Sequence, residues 1–463
     1  MKHDDNKLKQ NYLTQFNAAT VIGLGATGYS VVRYLRARGL NVHVIDSREA
    51  PAFESELASN YPDVGKQFGD FKKAKISANS LLVVSPGVPL SEPLLREAKN
   101  QGCILIGDIE LFLEENTQPV IAITGSNGKS TVTELTGELC KAGGLKPLIA
   151  GNIGLPVLDA LTDGLDYNVA VLELSSFQLE TTSRMPVEVA TILNISADHM
   201  DRYDSEGDYV LAKARILKGA ERAVLPRHDE QLAQISKFGT ARKIQTFGLD
   251  EPSNDDEFGV KRSTNFRWLM KGDSKLIRLR DISLTGMHNV SNILAAFALV
   301  DFLKLDIKAL VQAIKAFTGL PHRMQTVAQV NSIRWVNDSK ATNIGATRSA
   351  LTSLEQPVIW IAGGQGKGAN FNELRDAITS NITLLLLFGE DADQIENALT
   401  GLLPIQRVSN MAQAVALAAA NATQDSIVLL SPACASFDMY RGFEHRGDDF
   451  RQCVNDYTQQ VAS

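Results

Sequence analysis

The densest chemistry in the chain stands at Thr124-Gly125-Ser126-Asn127-Gly128-Lys129-Ser130-Thr131. An apolar β-type run, Val120 to Ile123, leads into it. An amphipathic helix leads out, with Leu135 and Leu139 on one face and Gly143-Gly144 as its stop. Strand, glycine loop, Lys-Ser and helix make a cradle for a nucleoside triphosphate. Loop N–H groups and the helix N-terminus face the phosphates, Lys129 supplies a cation, and Ser130 offers an oxygen to Mg²⁺. The spacing is a shortened phosphate loop, T-G-x-x-G-K-S, because Ile123 stands where the longer pattern has its first glycine. A tight turn with a surface lysine is the plainer alternative, and the agreement of strand, loop and helix signals disfavours it.

Other reactive groups stand at predicted strand ends. Glu173 follows the strand Val169 to Leu172, where position alone leaves an Mg²⁺ ligand and a solvated carboxylate equally open. A strand predicted over Ile192 to Ile195 runs into Ser196-Ala197-Asp198-His199-Met200-Asp201-Arg202. His199 could ligate a metal through a neutral nitrogen, although a histidine taken alone is more often structural. On the helix predicted over Tyr209 to Lys218, Lys213 falls between Ile216 and Leu217 on the wheel. Read as a residue, it is an amphipathic side chain that reaches water with its amine.

These groups need elements to hold them. The first region runs Ala19 to Ile22, then Gly23-Leu24-Gly25-Ala26-Thr27-Gly28, a helix from Tyr29 to Arg38, and a strand Val42 to Ile45 ending at Asp46. That is G-x-G-x-x-G between strand and helix, a dinucleotide-binding fingerprint. A third strand, Leu81 to Val84, enters Ser85-Pro86-Gly87. Further on, Phe266 to Ile282 reads as an antiparallel hairpin broken at Lys271 to Ser274, followed by helices at Ile293 to Leu303 and Ile307 to Phe317. Gly319 to Arg323 reads as a hinge into a third region with strands at Ile333 to Val336, Val358 to Ile361, Leu384 to Phe388 and Ile427 to Leu430. A helix from Gly447 onward closes the chain. Lys340 and Lys367 at two strand ends of one sheet make an anion site there.

Composition sets the limits. The chain has 463 residues, which suits two to four domains. Its net charge of −7 argues against a nucleic-acid partner held by counterion release. Cys103, Cys140, Cys434 and Cys453 form no C-x-x-C pair, which suits a reducing compartment and no cysteine metal cage. The polar start of the chain shows no signal-peptide core, and no run approaches the ~18 apolar residues of a membrane span. A cytoplasmic protein with no membrane partner is expected.

From residues alone the sum is three α/β modules with loaded rims: one for a nucleotide-like ligand, one for a triphosphate with Mg²⁺, one for a small anion. That points to activation by phosphoryl transfer followed by capture, with the substrates unnamed. The motif set resembles the ATP-dependent Mur ligase family of peptidoglycan synthesis. The resemblance rests on the phosphate loop, Gly151-Asn152-Ile153-Gly154, Glu173-Leu174-Ser175-Ser176-Phe177-Gln178-Leu179, Asn194 through His199, and His288-Asn289. It continues through Gly319 to Arg323, Asn337-Asp338-Ser339-Lys340-Ala341-Thr342, Gly363-Gly364-Gln365-Gly366-Lys367, and Ser431 to Ser436. It spans nearly the whole chain in order.

The resemblance implies three α/β domains: an N-terminal Rossmann-like UDP-binding domain (1–107), a central phosphate-loop ATPase domain with a parallel sheet plus a small antiparallel sheet (108–319), and a C-terminal Rossmann-like domain (320–463). It implies ATP held by Gly125 to Thr131, with Lys129 on the β/γ-phosphates and Asn289, Arg323 and Asp338 as further contacts. Two Mg²⁺ ions are implied, one on Ser130 and Glu173, the other on His199 and a carbamylated Lys213, which reverses the residue-level reading of Lys213. Thr27, Asp46, Ser47, Arg48, Ser85, Gly87 and Asn152 would hold UDP-N-acetylmuramoyl-L-alanine, and no nicotinamide would be involved. Lys340, Thr342, Lys367, Ser436 and Phe443 would seat D-glutamate, the amino acid favoured by the runs at 173–202 and 431–436. A monomer is expected. Sister ligases for other amino acids, a folate polyglutamylating enzyme, and a redox or regulatory nucleotide binder remain alternatives.

Overall fold

The computed structural model describes residues 12–462 except 197, 199, 201, 204, 236–238, 240, 264, 265 and 285. The first sheet contains β1 (Ala18–Ile22), β2 (Asn41–Asp46), β3 (Gly65–Phe68), β4 (Leu81–Val84) and β5 (Ile104–Ile106). All its pairings are parallel, in the order β3-β2-β1-β4-β5. The chain crosses over after β3, so β1 and β4 part at their C-terminal ends, where open α/β sheets bind ligands. β4 is buried at all four positions, as expected for a strand covered on both faces.

The second sheet contains β6 (Val120–Thr124), β7 (Pro147–Gly151), β8 (Val169–Glu173), β9 (Val189–Ile192), β10 (Arg222–Pro226), β11 (Lys243–Phe247), β12 (Glu257–Arg262), β13 (Arg267–Lys271) and β14 (Ser274–Arg278). Its order is β14-β13-β12-β11-β10-β9-β6-β8-β7. The expected hairpin is present as β13 and β14, but with β12 it extends the parallel sheet as one continuous ladder. Helices Ala26–Ala37, Asp108–Glu115 and Val157–Thr162 bury their apolar faces in a core shared by these two sheets. Polar contacts reinforce that seam: Arg33 pairs with Asp159 and Asp163, each at 2.6 Å, and the Tyr34 hydroxyl donates to Glu115 at 2.7 Å.

The third sheet contains β15 (Gln325–Val330), β16 (Ile333–Asn337), β17 (Val358–Gly363), β18 (Ile382–Phe388), β19 (Ile405–Arg407) and β20 (Ile427–Leu430). Its order is β15-β16-β20-β17-β18-β19, and only β15 runs antiparallel. Residue contacts divide the chain into two compact units. One holds the first two sheets; the other holds 317–463 together with 196–206 and 283–290. Within this second unit Asn343 Nδ2 donates to Asp198 at 3.0 Å, which ties segment 196–206 to it.

The closing helix spans Phe443–Ala462, four residues longer at its start than the sequence suggested. Gly447 is no helix boundary. A Cβ there would meet the His322 ring at 2.2 Å, so glycine serves close packing inside the helix. One turn of this helix carries Arg446, which is 0% exposed. Its Nε donates to Ser339 Oγ (3.0 Å), and Nη2 donates to the carbonyls of Ser339 (2.8 Å) and Cys434 (3.1 Å). Nη1 reaches the carbonyls of Cys434 (3.1 Å), Ala435 (3.4 Å) and Gly363 (3.4 Å). Burial lowers its pKa to about 10, which still leaves it charged at neutral pH. The guanidinium thus binds together the loops that follow β16, β17 and β20. Arg446→Met would remove the donors that the side chain gives the Ser339 and Cys434 carbonyls, at a cost of about 3 kcal/mol. We expect calorimetry to show the second unit's Tm falling by roughly 6–12 °C; a fall under about 2 °C would contradict the clamp.

Candidate active site

The phosphate loop leaves β6 and enters the helix Lys129–Ala142. Gly128 precedes the helix at φ +82°, a left-handed conformation that favours glycine, and a Cβ there would meet Asn292 Oδ1 at 2.7 Å. Asn194 holds the loop from beneath. Its backbone carbonyl accepts from Ser126 N–H (3.0 Å), its Oδ1 accepts from Asn127 N–H (2.8 Å), and its Nδ2 donates to Asn127 O (3.0 Å). This bracing explains why the predicted strand at Ile192 to Ile195 is displaced. β9 pairs with β6 only through Ile192, after which the chain turns its polar groups onto the loop.

Lys129 Nζ donates to the carbonyls of Gly125 (2.7 Å) and Ser126 (3.0 Å), so it lies folded over the loop. Ser130 and Thr131 are buried in the first helical turn. Lys213 is only 2% exposed, against the water-seeking reading of its sequence position. It sits on the helix Glu206–Ala214, one turn after Tyr209, and both side chains turn inward. Its Nζ donates to Gly125 O (2.9 Å) and lies 4.6 Å from the Tyr209 ring centre. The Tyr209 hydroxyl pairs with Ser126 Oγ at 3.0 Å. Two lysines therefore converge on one loop carbonyl.

Glu173 ends β8 in register with Ile123 of β6, beside the loop. It is 2% exposed. Oε1 accepts from Asn152 Nδ2 at 2.9 Å, whereas Oε2 is buried without a hydrogen-bond partner among the described residues. A buried carboxylate oxygen left open beside a phosphate loop fits a divalent-cation ligand. His199 lies outside the described residues. Among the described residues no three His, Cys, Asp or Glu side chains cluster as a metal cage.

The first sheet's crevice is a cavity of about 450 Å³. Thr27, Asp46, Ser47, Arg48, Ser85, Gly87 and Asn152, all singled out from sequence, line it together. Asp46 is committed within the protein: Leu24 N–H donates to Oδ2 (2.7 Å), while Arg48 N–H and Nε donate to Oδ1, both at 2.8 Å. Burial pushes its carboxyl up, but these bonds and the Arg48 charge hold it below the ordinary carboxylate pKa. Asp46 therefore shapes the loop and presents Arg48.

In the second unit, Asp338 follows β16. It accepts from Ser431 Oγ (2.9 Å) and Met324 N–H (3.2 Å), and burial raises its pKa to about 7 against those bonds and the Arg323 charge. Lys340 and Phe443 come together, with Nζ 3.8 Å from the ring centre. Lys367 stands at φ +52° near the Phe437 ring. Its loop joins that of Ser436 through reciprocal backbone bonds between Gln365 and Ala435, both 2.9 Å. Thr342 caps the turn by donating its N–H to Lys340 O (2.8 Å), and Asn289 is buried in the first turn of the helix Met287–Val300. Sequence reasoning quoted Asn194 and Gln178 within its motifs without giving either a role, and it missed Tyr209 and Arg446. A strand-end asparagine could have signalled Asn194, but nothing in the charged stretch Glu444 to Arg451 distinguishes Arg446.

Three family models match the chain in order: a Mur ligase MurD-like N-terminal domain over residues 17–107, the Mur ligase middle domain over 123–300, and the Mur ligase glutamate ligase domain over 322–434. A Methylobacillus flagellatus protein named UDP-N-acetylmuramoylalanine–D-glutamate ligase is 44% identical over 447 residues, covering 96% of this chain and 98% of that protein. An Alcanivorax borkumensis protein of the same name is 46% identical, covering 93% of this chain and 96% of that protein. Among solved structures, a pseudomurein peptide ligase type C from Methanothermus fervidus matches with a TM-score of 0.62 at 19% identity, over 95% of this chain and 100% of that one. The MurF ligase of Thermotoga maritima in complex with ADP matches at 0.59 and 13% identity, over 96% and 97%. These last two speak for the fold. With near-full-length relatives well above 40% identity and three family domains in sequence, the chain belongs to the Mur ligase family.

Proposed function

We propose that this chain is an ATP-dependent ligase that joins D-glutamate to UDP-N-acetylmuramoyl-L-alanine, releasing ADP and phosphate, in cytoplasmic peptidoglycan precursor synthesis. The observation that carries the reading is the near-full-length identity to proteins bearing that enzyme's name, over a chain whose loops present a phosphate cradle. In this reading residues 1–107 bind the UDP-sugar, 108–319 bind ATP and 320–463 bind the amino acid. The protein acts as a monomer. Among the described residues no helix is long and apolar enough to cross a membrane.

Members of the family use ATP and Mg²⁺. Lys129 and the loop's N–H groups from Gly125 to Thr131, other than those of Ser126 and Asn127 that Asn194 holds, would bind the β/γ-phosphates, with Asn289, Arg323 and Asp338 as further ATP contacts. Ser130 and the open Oε2 of Glu173 would hold one Mg²⁺; His199 and a carbamylated Lys213 would hold a second. Bound there, the ions would spread the charge of the transferring phosphoryl group. The L-alanine carboxylate forms a bond to the γ-phosphorus as the bond to ADP breaks, giving an acyl phosphate. The amine of D-glutamate then attacks the acyl carbon, loses a proton, and expels phosphate. Lys340, Thr342, Lys367, Ser436 and Phe443 would hold the D-glutamate carboxylates and orient the amine. Thr27, Ser47, Arg48, Ser85, Gly87 and Asn152 would fix the UDP-sugar, with Asp46 behind Arg48.

The direct test is ADP release with Mg²⁺, UDP-N-acetylmuramoyl-L-alanine and one amino acid at a time. Release is expected with D-glutamate alone. Release only with L-alanine or a diamino acid would keep the family and reject this substrate, and no release would reject the activity. A second test bears on the carbamate. Lys213→Ala should lower kcat on the order of 100-fold or more in a chain that still folds. Full activity of that variant in bicarbonate-free buffer would contradict the assignment.

A further inference from the structure

Asp391 stands at the N-cap of the helix Ala392–Leu399 that follows β18, where an aspartate ordinarily bonds the N–H groups of its own first turn. Here the side chain makes no such bond. Its Oδ2 accepts instead from the Gly366 N–H at 2.7 Å, and its Oδ1 is taken by the Gln394 side-chain amide. The Asp391 N–H donates to the Gly364 carbonyl at 3.0 Å, so one residue grips the glycine loop after β17 at two points. The helix starts on the Asp391 backbone carbonyl, which accepts from the N–H groups of Gln394 (3.0 Å) and Ile395 (3.2 Å). The loop is closely packed as well. A Cβ on Gly366 would meet the Phe371 ring at 2.7 Å, and one on Gly389 would meet Gly364 N at 2.6 Å. Directly after the gripped Gly366 comes Lys367, at φ +52°. That left-handed conformation is disfavoured for a residue with a Cβ, and it persists where surrounding contacts over-determine it.

We propose that Asp391 is a positioning residue for the amino-acid substrate: by fixing the Gly366 N–H it holds Lys367 in its left-handed conformation, which sets where the amine stands at the rim. This rests on the reading that Lys367 binds a carboxylate of D-glutamate. An N-cap aspartate bonded to its own helix would stabilise that helix, and spending the carboxylate on the loop forgoes that gain. Neighbouring contacts lead to the same place. Asp438, two residues after Ser436, accepts the Glu390 N–H at 2.9 Å, and Gln365 and Ala435 exchange backbone bonds. The loops after β17, β18 and β20 are thus tied pairwise into a ring, which carries Lys367 at a strained position. Freed of the Asp391 bond, a non-glycine residue would keep the left-handed conformation about a tenth of the time. The apparent affinity for the amino acid falls with that fraction.

The experiment is steady-state kinetics of the full chain with ATP, Mg²⁺, UDP-N-acetylmuramoyl-L-alanine and varied D-glutamate. Asp391→Ala should raise the KM for D-glutamate about 10-fold, while kcat and the KM values for ATP and the UDP-sugar stay within about 2-fold. Asp391→Asn keeps an acceptor for Gly366, and Gln394 can turn its amide to suit, so its KM should stay within about 3-fold of wild type. In a Lys367→Ala background, where the KM for D-glutamate is already raised, Asp391→Ala should add less than about 2-fold, because its effect passes through Lys367. Should the Ala variant not fold, Asp391→Ser reads the same contact. Its hydroxyl suits a helix start but is too short to reach Gly366, and an equal rise is expected. A wild-type KM in Asp391→Ala or Asp391→Ser, or an Asn variant as impaired as the Ala variant, would overturn the proposal. So would equal KM rises for all three substrates, or a further rise of about 10-fold on top of Lys367→Ala. If Lys367→Ala itself left the KM for D-glutamate unchanged, the reading of Lys367 would fall, and the proposal with it.

Discussion

Every ligand-facing rim of this protein depends on one constraint: backbone polar groups at the C-terminal ends of parallel strands leave the sheet ladder and still need partners. The structure meets it with side chains lent by a neighbouring strand end. Asn194, just past β9, holds both the N–H groups and a carbonyl of the phosphate loop. Asp46, at the end of β2, accepts the Leu24 N–H of the first glycine loop. Arg446 gathers four carbonyl-bearing loop residues in the third sheet. In each case a side chain from outside the loop fixes it through polar contacts. A loop braced in this way needs little reorganisation when an anionic ligand arrives.

The charges follow from the same constraint. The chain as a whole is acidic, at −7, yet its rims concentrate cations: Lys129 and Lys213 on one loop carbonyl, Lys340 over Phe443, and Arg48 held by Asp46. Glu173 is the exception, a buried carboxylate with one oxygen open. Cations and an open carboxylate around a glycine loop suit a metal-bound triphosphate, and cations alone suit carboxylates and diphosphates. The proposed assignment of three anionic substrates to three rims agrees with this division.

Much of this was legible in the sequence because it rests on local patterns. Glycine loops between apolar strands and amphipathic helices mark β1 and β6, a glycine loop follows β17, and the seven residues singled out for the first crevice do line one cavity. What stayed hidden depends on long-range packing. The end of β9 was misplaced because Leu193 and Asn194 continue an apolar-looking run while already turning toward the loop. Lys213 looked solvent-seeking because a helical wheel cannot show that a loop from β6 lies over that face. Gly447 looked like a helix start because its purpose is contact with His322, distant in sequence. Arg446 gave no signal, since a buried cation satisfied by carbonyls has no sequence partner to find.

The central claim is that the substrate's carboxylate is activated by phosphoryl transfer before the amine attacks. It is tested most directly by labelling that carboxylate in UDP-N-acetylmuramoyl-L-alanine with ¹⁸O and analysing the phosphate released during turnover with D-glutamate. The account predicts that one labelled oxygen passes from the carboxylate to phosphate for each amide formed. Phosphate free of label, with amide formed at the normal rate, would contradict it.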